Sequence, residues 1–264
     1  MLNHRPRKQF GQNFLVDKNI AAKILKRADL IETDNVLEIG PGKGFLTDGL
    51  LEKAAAVLAI EIDKDLIDFL EQKYNGNPKF FLIKGDCLKK DWFISGIVPN
   101  KLIANIPYNI TSQIIFKLFE YLGNFEKVIL MMQNEVADRI ISEHNNKVYG
   151  VLSCVIQKFW QVEKFYKLPP GVFHPAPKVD SALVEFTPKK FDIVLDNELV
   201  SKYINFVKFC FMQRRKVLFI RLIKNYKIEK EFLTDFYIKN NLNFEARPEN
   251  ISVDLFWKLF NLSS

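Results

Sequence analysis

The sequence predicts an α/β protein, with a doubly wound, mainly parallel sheet over residues 1–187 and a small all-helical domain over residues 188–264. Three observations predict it. Short β-branched and apolar runs alternate with segments of helical period as far as Glu143. Two more apolar runs, joined by a proline-rich turn, follow Gly150. Beyond Pro188 strand signals stop while helical periodicity continues.

Taken in order, strands are expected over 35–39, 56–62, 79–83, 101–106 and 127–132, and helices over 22–27, 47–53, 65–74, 111–122 and 135–143. This is a repeating β-α-β unit. The runs 159–167 and 179–186, linked through Pro169-Pro170-Gly171 and Pro175-Ala176-Pro177, would add an antiparallel edge. The boundary falls at Thr187-Pro188-Lys189, after which 197–225, 230–240 and 253–261 read as helices.

Charge is distributed unevenly. The net +7 of the 264 residues splits into 14 Lys and Arg against 9 Asp and Glu from Pro188 onward, and 24 against 22 before it. Between Lys208 and Lys230 stand Arg214, Arg215, Lys216, Arg221, Lys224 and Lys227, with Glu229 as the only acid. A polyanion is the natural partner of such a stretch, although a solvated helix face would look the same by charge alone.

Cys87, Cys154 and Cys210 are widely spaced and show no C-x-x-C pairing, so they read as buried thiols. His4, His144 and His174 are equally scattered, which leaves a metal centre without support. No apolar leader core opens the chain, and no run of about eighteen apolar residues occurs in it. A soluble, cytoplasmic protein with no membrane association and no metal is the expectation.

The chemistry concentrates in a few motifs. Glu38-Ile39-Gly40-Pro41-Gly42-Lys43-Gly44 leaves the first strand and opens a helix, where an open α/β sheet binds its ligand. Glu61 ends the second strand about twenty residues on, where a carboxylate can accept the ribose hydroxyls of an adenosine-containing cofactor. This pair suits NAD or S-adenosylmethionine. The spacing G-x-G-x-G with Pro41 inserted, in place of G-x-G-x-x-G, favours the methyl donor. Asp86, closing the third strand, is a candidate acceptor for the cofactor's adenine amine.

Asn105-Ile106-Pro107-Tyr108 closes the fourth strand. An adenine amine is a weak nucleophile because its lone pair is delocalised into the ring, and acceptors on its protons favour the pyramidal, reactive form. The Asn105 side-chain oxygen and the Ile106 carbonyl, next to a proline that offers no donor, are the candidate acceptors. Tyr108 would stack on a flipped-out base, with Phe173 of Phe173-His174-Pro175 as a second aromatic for its other face. The lead-in Arg7-Lys8-Gln9-Phe10-Gly11-Gln12-Asn13-Phe14-Leu15 is suited to covering a cofactor pocket or touching phosphates.

Gly11 to Leu15, Glu38 to Gly44, Glu61, Asp86, Asn105 to Tyr108 and Phe173 to Ser181, with Gln133 to Ile140 and Gln213 to Lys216, together resemble the ribosomal RNA adenine dimethyltransferase family, most closely its small-subunit type. The resemblance implies a class I S-adenosylmethionine-dependent methyltransferase fold, Rossmann-like with a seven-stranded, mainly parallel sheet. It implies N6,N6-dimethylation of two adjacent adenines in the 3′-terminal hairpin loop of 16S rRNA, in an assembling 30S particle, by a monomeric enzyme. Cofactor contacts would fall on Asn13, Leu15, Gly40, Glu61, Asp86 and Asn105, with Gln12 and Gly42 lining the same pocket. RNA contacts would fall on Arg7, Lys8, Arg214, Arg215 and Lys216. Ile106 stands where the family usually has Leu, and matches the large-subunit macrolide-resistance methylases. That activity, an assembly or transcription factor on the same fold, and a DNA adenine methylase are the alternatives.

Overall fold

A computed structural model of the chain describes residues 6–7, 10–94, 96–191, 196–226 and 228–262. In chain order its elements are β1 (Phe14–Leu15), α1 (Lys18–Ala28), β2 (Asn35–Ile39), α2 (Thr47–Lys53), β3 (Ala56–Glu61), α3 (Lys64–Lys73), β4 (Phe80–Lys84), β5 (Lys101–Asn105), α4 (Thr111–Lys117), β6 (Lys127–Gln133), α5 (Asn134–Ile141), α6 (Val151–Phe159), β7 (Trp160–Leu168), β8 (Phe173–His174), β9 (Ser181–Pro188), α7 (Asn197–Met212), α8 (Leu218–Tyr226), α9 (Lys230–Lys239) and α10 (Val253–Leu262).

Seven strands form one sheet in the order β4-β3-β2-β5-β6-β9-β7. The five strands from β2 to β6 are parallel, and β9 runs antiparallel to β6. All six residues of β3 and the first four of β5 are buried, which is why these strands read as unbroken apolar runs with no alternation. The chain builds outward from β2 to β4 and then returns to place β5 on the other side of β2. Order therefore reverses between β2 and β5, and a crevice opens at the carboxyl ends of those two strands. Gly40 follows one of them and Asn105 ends the other.

Local signals set the helix starts. The Asp17 carboxylate accepts the N–H groups of Asn19 and Ile20 at 2.8 and 3.2 Å, so α1 begins about a turn before the expected residue 22. Its buried face, Ile20, Ala21, Ile24 and Ala28, joins Val36, Leu50, Val57, Ile103 and Ile129 in the core beside the sheet.

The chain divides into two compact units, one of residues 1–137 with 163–188, the other of residues 138–162 with 189–264. Residues 138–162 thus group with the C-terminal helices, although they precede the last strands. They include α6, which sequence periodicity did not register. Within the second unit Tyr203 stands edge-on to Phe159, Trp257 and Phe260, with ring centroids 5.0–5.7 Å apart. The single helix expected over 197–225 is two helices, and the buried Arg221 donates to the Phe209 and Cys210 carbonyls at 2.7 and 2.8 Å, satisfying the end of α7. No helix among the described residues is long and apolar enough to cross a membrane.

Candidate active site

The crevice at the switch point holds a cavity of about 250 Å³. Each element brings one part of its wall. The turn after β2 supplies Gly40 and Gly42, at φ +71° and +60°. These left-handed values favour glycine, and a Cβ at Gly42 would stand 2.9 Å from the Phe14 ring. The end of β3 supplies Glu61 and Ile62, the end of β4 Asp86 and Leu88, and the end of β5 Asn105, Ile106, Pro107 and Tyr108. Five consecutive residues of the lead-in, Phe10 to Phe14, complete the lining.

Glu61 is 5% exposed. Its Oε1 accepts the N–H groups of Ile62 and Asp63, both at 2.9 Å, while Oε2 takes a longer 3.3 Å contact from Gly42. Burial raises its pKa, and those three N–H groups oppose the rise. Asp86 accepts the Leu88 N–H at 2.9 Å through Oδ1. Acceptors at the ends of β3 and β4, with Ile60, Ile62, Leu66 and Leu88 between them, fit an adenosine: carboxylates for ribose hydroxyls and an exocyclic amine, aliphatic surface for the ring.

Across the cavity, Asn105 donates its Nδ2–H to the Asn13 main-chain oxygen at 2.8 Å. That bond uses the donor end of the amide and leaves Oδ1 as an acceptor. The Ile106 N–H is taken by Met131 at 3.2 Å, and the Pro107 carbonyl closes a turn with the Ile110 N–H at 3.1 Å. Tyr108, half-buried, shares a hydrogen bond with the buried Ser181 hydroxyl of β9, so its ring is held at both ends. Burial raises the Tyr108 pKa against the lowering effect of Ser181.

Asn105 also borders an adjoining pocket of about 200 Å³, lined by Leu15, Val16, Glu38, Lys43, Phe45 and His174 among others. Glu38 is 2% exposed, and accepts the Thr47 hydroxyl at 2.6 Å. Burial, with the nearby Asp48 and Glu61 adding to it and Thr47 opposing it, pushes its pKa up to about 8.

Most of the expected cofactor residues therefore converge: Gln12, Asn13, Gly40, Gly42, Glu61, Asp86 and Asn105 all line the main cavity. Leu15 does not. It lines the adjoining pocket, with its side chain in the core cluster. Phe173 requires a correction. It pairs with Leu15 in the small β1–β8 ladder and sits 3% exposed in the core cluster, so its ring presents no face to a base. Arg7 is also placed differently from expectation: its guanidinium lies 2.7 Å from Asp65 and 3.5 Å from Asp63, engaged by carboxylates of its own chain. Lys8 lies outside the described residues. In the other unit, Arg214 pairs with Glu249 at 3.4 Å, while Arg215 and Lys216 are exposed in the turn between α7 and α8.

Sequence reasoning missed Glu38, Ser181 and Asp63 as parts of the site or its support, and Asn109, which lines the main cavity. Glu38 stood inside the quoted glycine motif, a signal available but unused. The hydrogen bond of Ser181 to Tyr108 spans 73 positions and that of Asp63 to Gln12 spans 51, so no local pattern could reveal either.

The profile of the family described as "Ribosomal RNA adenine dimethylase" matches residues 3–264. "Ribosomal RNA small subunit methyltransferase A" of Mycoplasma mobile is 42% identical over 259 residues, covering 98% of each chain. The protein of the same description from Prochlorococcus marinus is 42% identical over 264 residues, covering 97% of this chain and 95% of its own. Among solved structures, a dimethyladenosine transferase from Plasmodium falciparum superposes with a TM-score of 0.77 at 29% identity, over 93% of this chain and 95% of that one. The 23S rRNA methyltransferase ErmE gives 0.73 at 26% identity, over 95% and 99%. With its motifs gathered at the switch point of a class I methyltransferase sheet and a profile match along nearly its whole length, the chain belongs to the ribosomal RNA adenine dimethylase family.

Proposed function

We propose that the protein transfers methyl groups from S-adenosylmethionine to N6 of two adjacent adenines in the 3′-terminal hairpin loop of small-subunit rRNA, acting as a monomer on an assembling particle in the cytoplasm. One observation supports this reading most: the Asn105 amide is tied at its nitrogen to the Asn13 carbonyl, which leaves its oxygen as an acceptor on a residue of the cavity wall.

The donor supplies an electrophilic methyl carbon on a sulfonium. Asn105 Oδ1 and the Ile106 carbonyl would accept the two N6 protons, turning the amine lone pair toward that carbon; this positioning supplies most of the catalysis. When bound, the donor would supply the methyl carbon for the new N–C bond and keep the electron pair of the broken C–S bond on its sulfur. The alkylated amine then loses a proton to water, so no side chain need act as general base. Tyr108, fixed through Ser181, would offer a flat face to the base and favour the positive charge that develops on nitrogen. The adenosine part of the donor would rest on Glu61 and Asp86, and its amino-acid part near Asn13, Gly40 and Gly42. Residues 188–264, with Arg215 and Lys216 exposed, would carry RNA contacts.

The test supplies donor labelled in its methyl group to the purified protein with immature 30S particles, 50S precursors or duplex DNA, and maps the product by mass spectrometry. Label in N6,N6-dimethyladenosine of 16S rRNA alone is expected. Label in 23S rRNA or DNA, or none in any substrate, would overturn the reading.

A further inference from the structure

The lead-in walls the main cavity with five residues, yet its principal side-chain anchor does not line that cavity. Asp63, just beyond β3, has a side chain with no solvent exposure. Its Oδ2 accepts Gln12 Nε2–H at 2.8 Å. Its Oδ1 accepts the Asp65 N–H at 3.2 Å and lies 3.5 Å from Arg7 Nη1. Arg7 reaches Asp65 as well at 2.7 Å, and its own N–H donates to Gln12 Oε1 at 2.7 Å. Residues 7 and 12 are thus bound to each other and to one end of α3. The residue that follows Gln12 is Asn13, whose carbonyl holds the Asn105 amide.

These contacts form one chain, from Asp63 through Gln12 and the main chain of Asn13 to Asn105 Nδ2, the last three of which line the cavity. Its first bond joins a buried carboxylate to an amide donor, and a hydrogen bond shielded from solvent is stronger than an exposed one. We propose that Asp63 is a positioning residue: it latches the lead-in over the main cavity and, through Asn13, sets the orientation of Asn105. The proposal rests on the reading of that cavity as the methyl-donor site. Arg7 belongs to the latch, which explains why a residue expected to meet RNA faces carboxylates.

A latch predicts a measurable population. If loss of the anchor lowers the closed fraction of the lead-in to about a tenth, the apparent Kd for donor rises about tenfold. The test uses the full chain in four forms: wild type, Arg7→Gln, Gln12→Glu, and Gln12→Glu combined with Asp63→Asn. Gln12→Glu sets a second carboxylate against Asp63. In the combined variant an asparagine can donate to that glutamate and can still cap α3, so the bond is restored with its direction reversed. Binding of S-adenosylmethionine and S-adenosylhomocysteine is measured by calorimetry, and amide exchange over residues 10–15 is followed without ligand.

Gln12→Glu and Arg7→Gln are expected to weaken binding and speed exchange at the lead-in, with thermal midpoints unchanged, and the combined variant to recover both. Exchange at wild-type rates in Gln12→Glu, or a combined variant as impaired as Gln12→Glu alone, would overturn the latch. Failure of the wild-type chain to bind either ligand would instead overturn the donor-site reading, and the proposal with it; exchange without ligand tells the two failures apart.

Discussion

Asn105 and Asn13 lie 92 positions apart and meet at 2.8 Å, the side-chain N–H of one on the main-chain oxygen of the other. This contact joins the end of β5 to the lead-in and occupies the donor end of the amide, leaving its oxygen as the acceptor. Asn13 therefore contributes to the candidate site through its backbone, and a side-chain truncation at Asn13 should disturb turnover less than one at Asn105.

Tyr108 gives a graded prediction. Stacking on a base is worth about 1–3 kcal/mol, and a neutral hydrogen bond nets about 0.5–1.5 kcal/mol. Tyr108→Ala should therefore lower kcat/KM for RNA more than either Tyr108→Phe or Ser181→Ala, measured with donor saturating. Equal losses for Phe and Ala would show that the hydroxyl, and not the ring, matters.

Glu38 predicts a pH dependence of stability. Its folded pKa, about 8, lies above its ordinary value of 4.5 because burial penalises the charged form. A raised folded pKa means that the folded state keeps its proton longer than the unfolded state. The contribution is whole below about 4.5 and is lost as pH rises toward about 8, at up to about 1.4 kcal/mol per pH unit. Urea unfolding at pH 5, 6.5 and 8 should show wild type losing stability relative to Glu38→Gln across that range. Parallel curves would contradict a protonated Glu38.

The basic tail should separate into two kinds of residue. Arg215→Ala and Lys216→Ala, both exposed, should each reduce the slope of log K for RNA against log salt by about 1 if they meet phosphates, while stability stays within about 0.5 kcal/mol. Arg221→Ala should leave that slope alone and destabilise the second unit, since it breaks two bonds from a charged donor, each worth about 1.5–3 kcal/mol. Urea unfolding and salt-titrated RNA binding check the two halves.

Much of the fold was legible because parallel strands buried on both faces leave unbroken apolar runs, and β2, β3, β5 and β6 fall within a residue or so of expectation. The glycine loop, Glu61, Asp86 and Asn105 were legible because each ends a strand, and strand ends at a switch point share one crevice. What stayed hidden depends on distant partners. Phe173 looked like a free aromatic until β1 paired with β8 and drew it into the core. Arg221 counted as surface charge until its carbonyl partners on α7 appeared. Helix α6, Val151–Phe159, carries Val155, Ile156 and Phe159 buried beside one another, and its apolar density masks the helical period. Arg7 was assigned by its charge, whereas its location is set by Asp63 and Asp65.

The central claim is that the Asn105 oxygen accepts from the target amine as its nitrogen attacks. The most direct test is the single-turnover rate of Asn105→Ala on immature 30S particles with donor saturating. Loss of one preorganised acceptor predicts a rate lower by about 10²–10³-fold with the fold intact by circular dichroism. A rate equal to that of the wild-type protein would contradict the account.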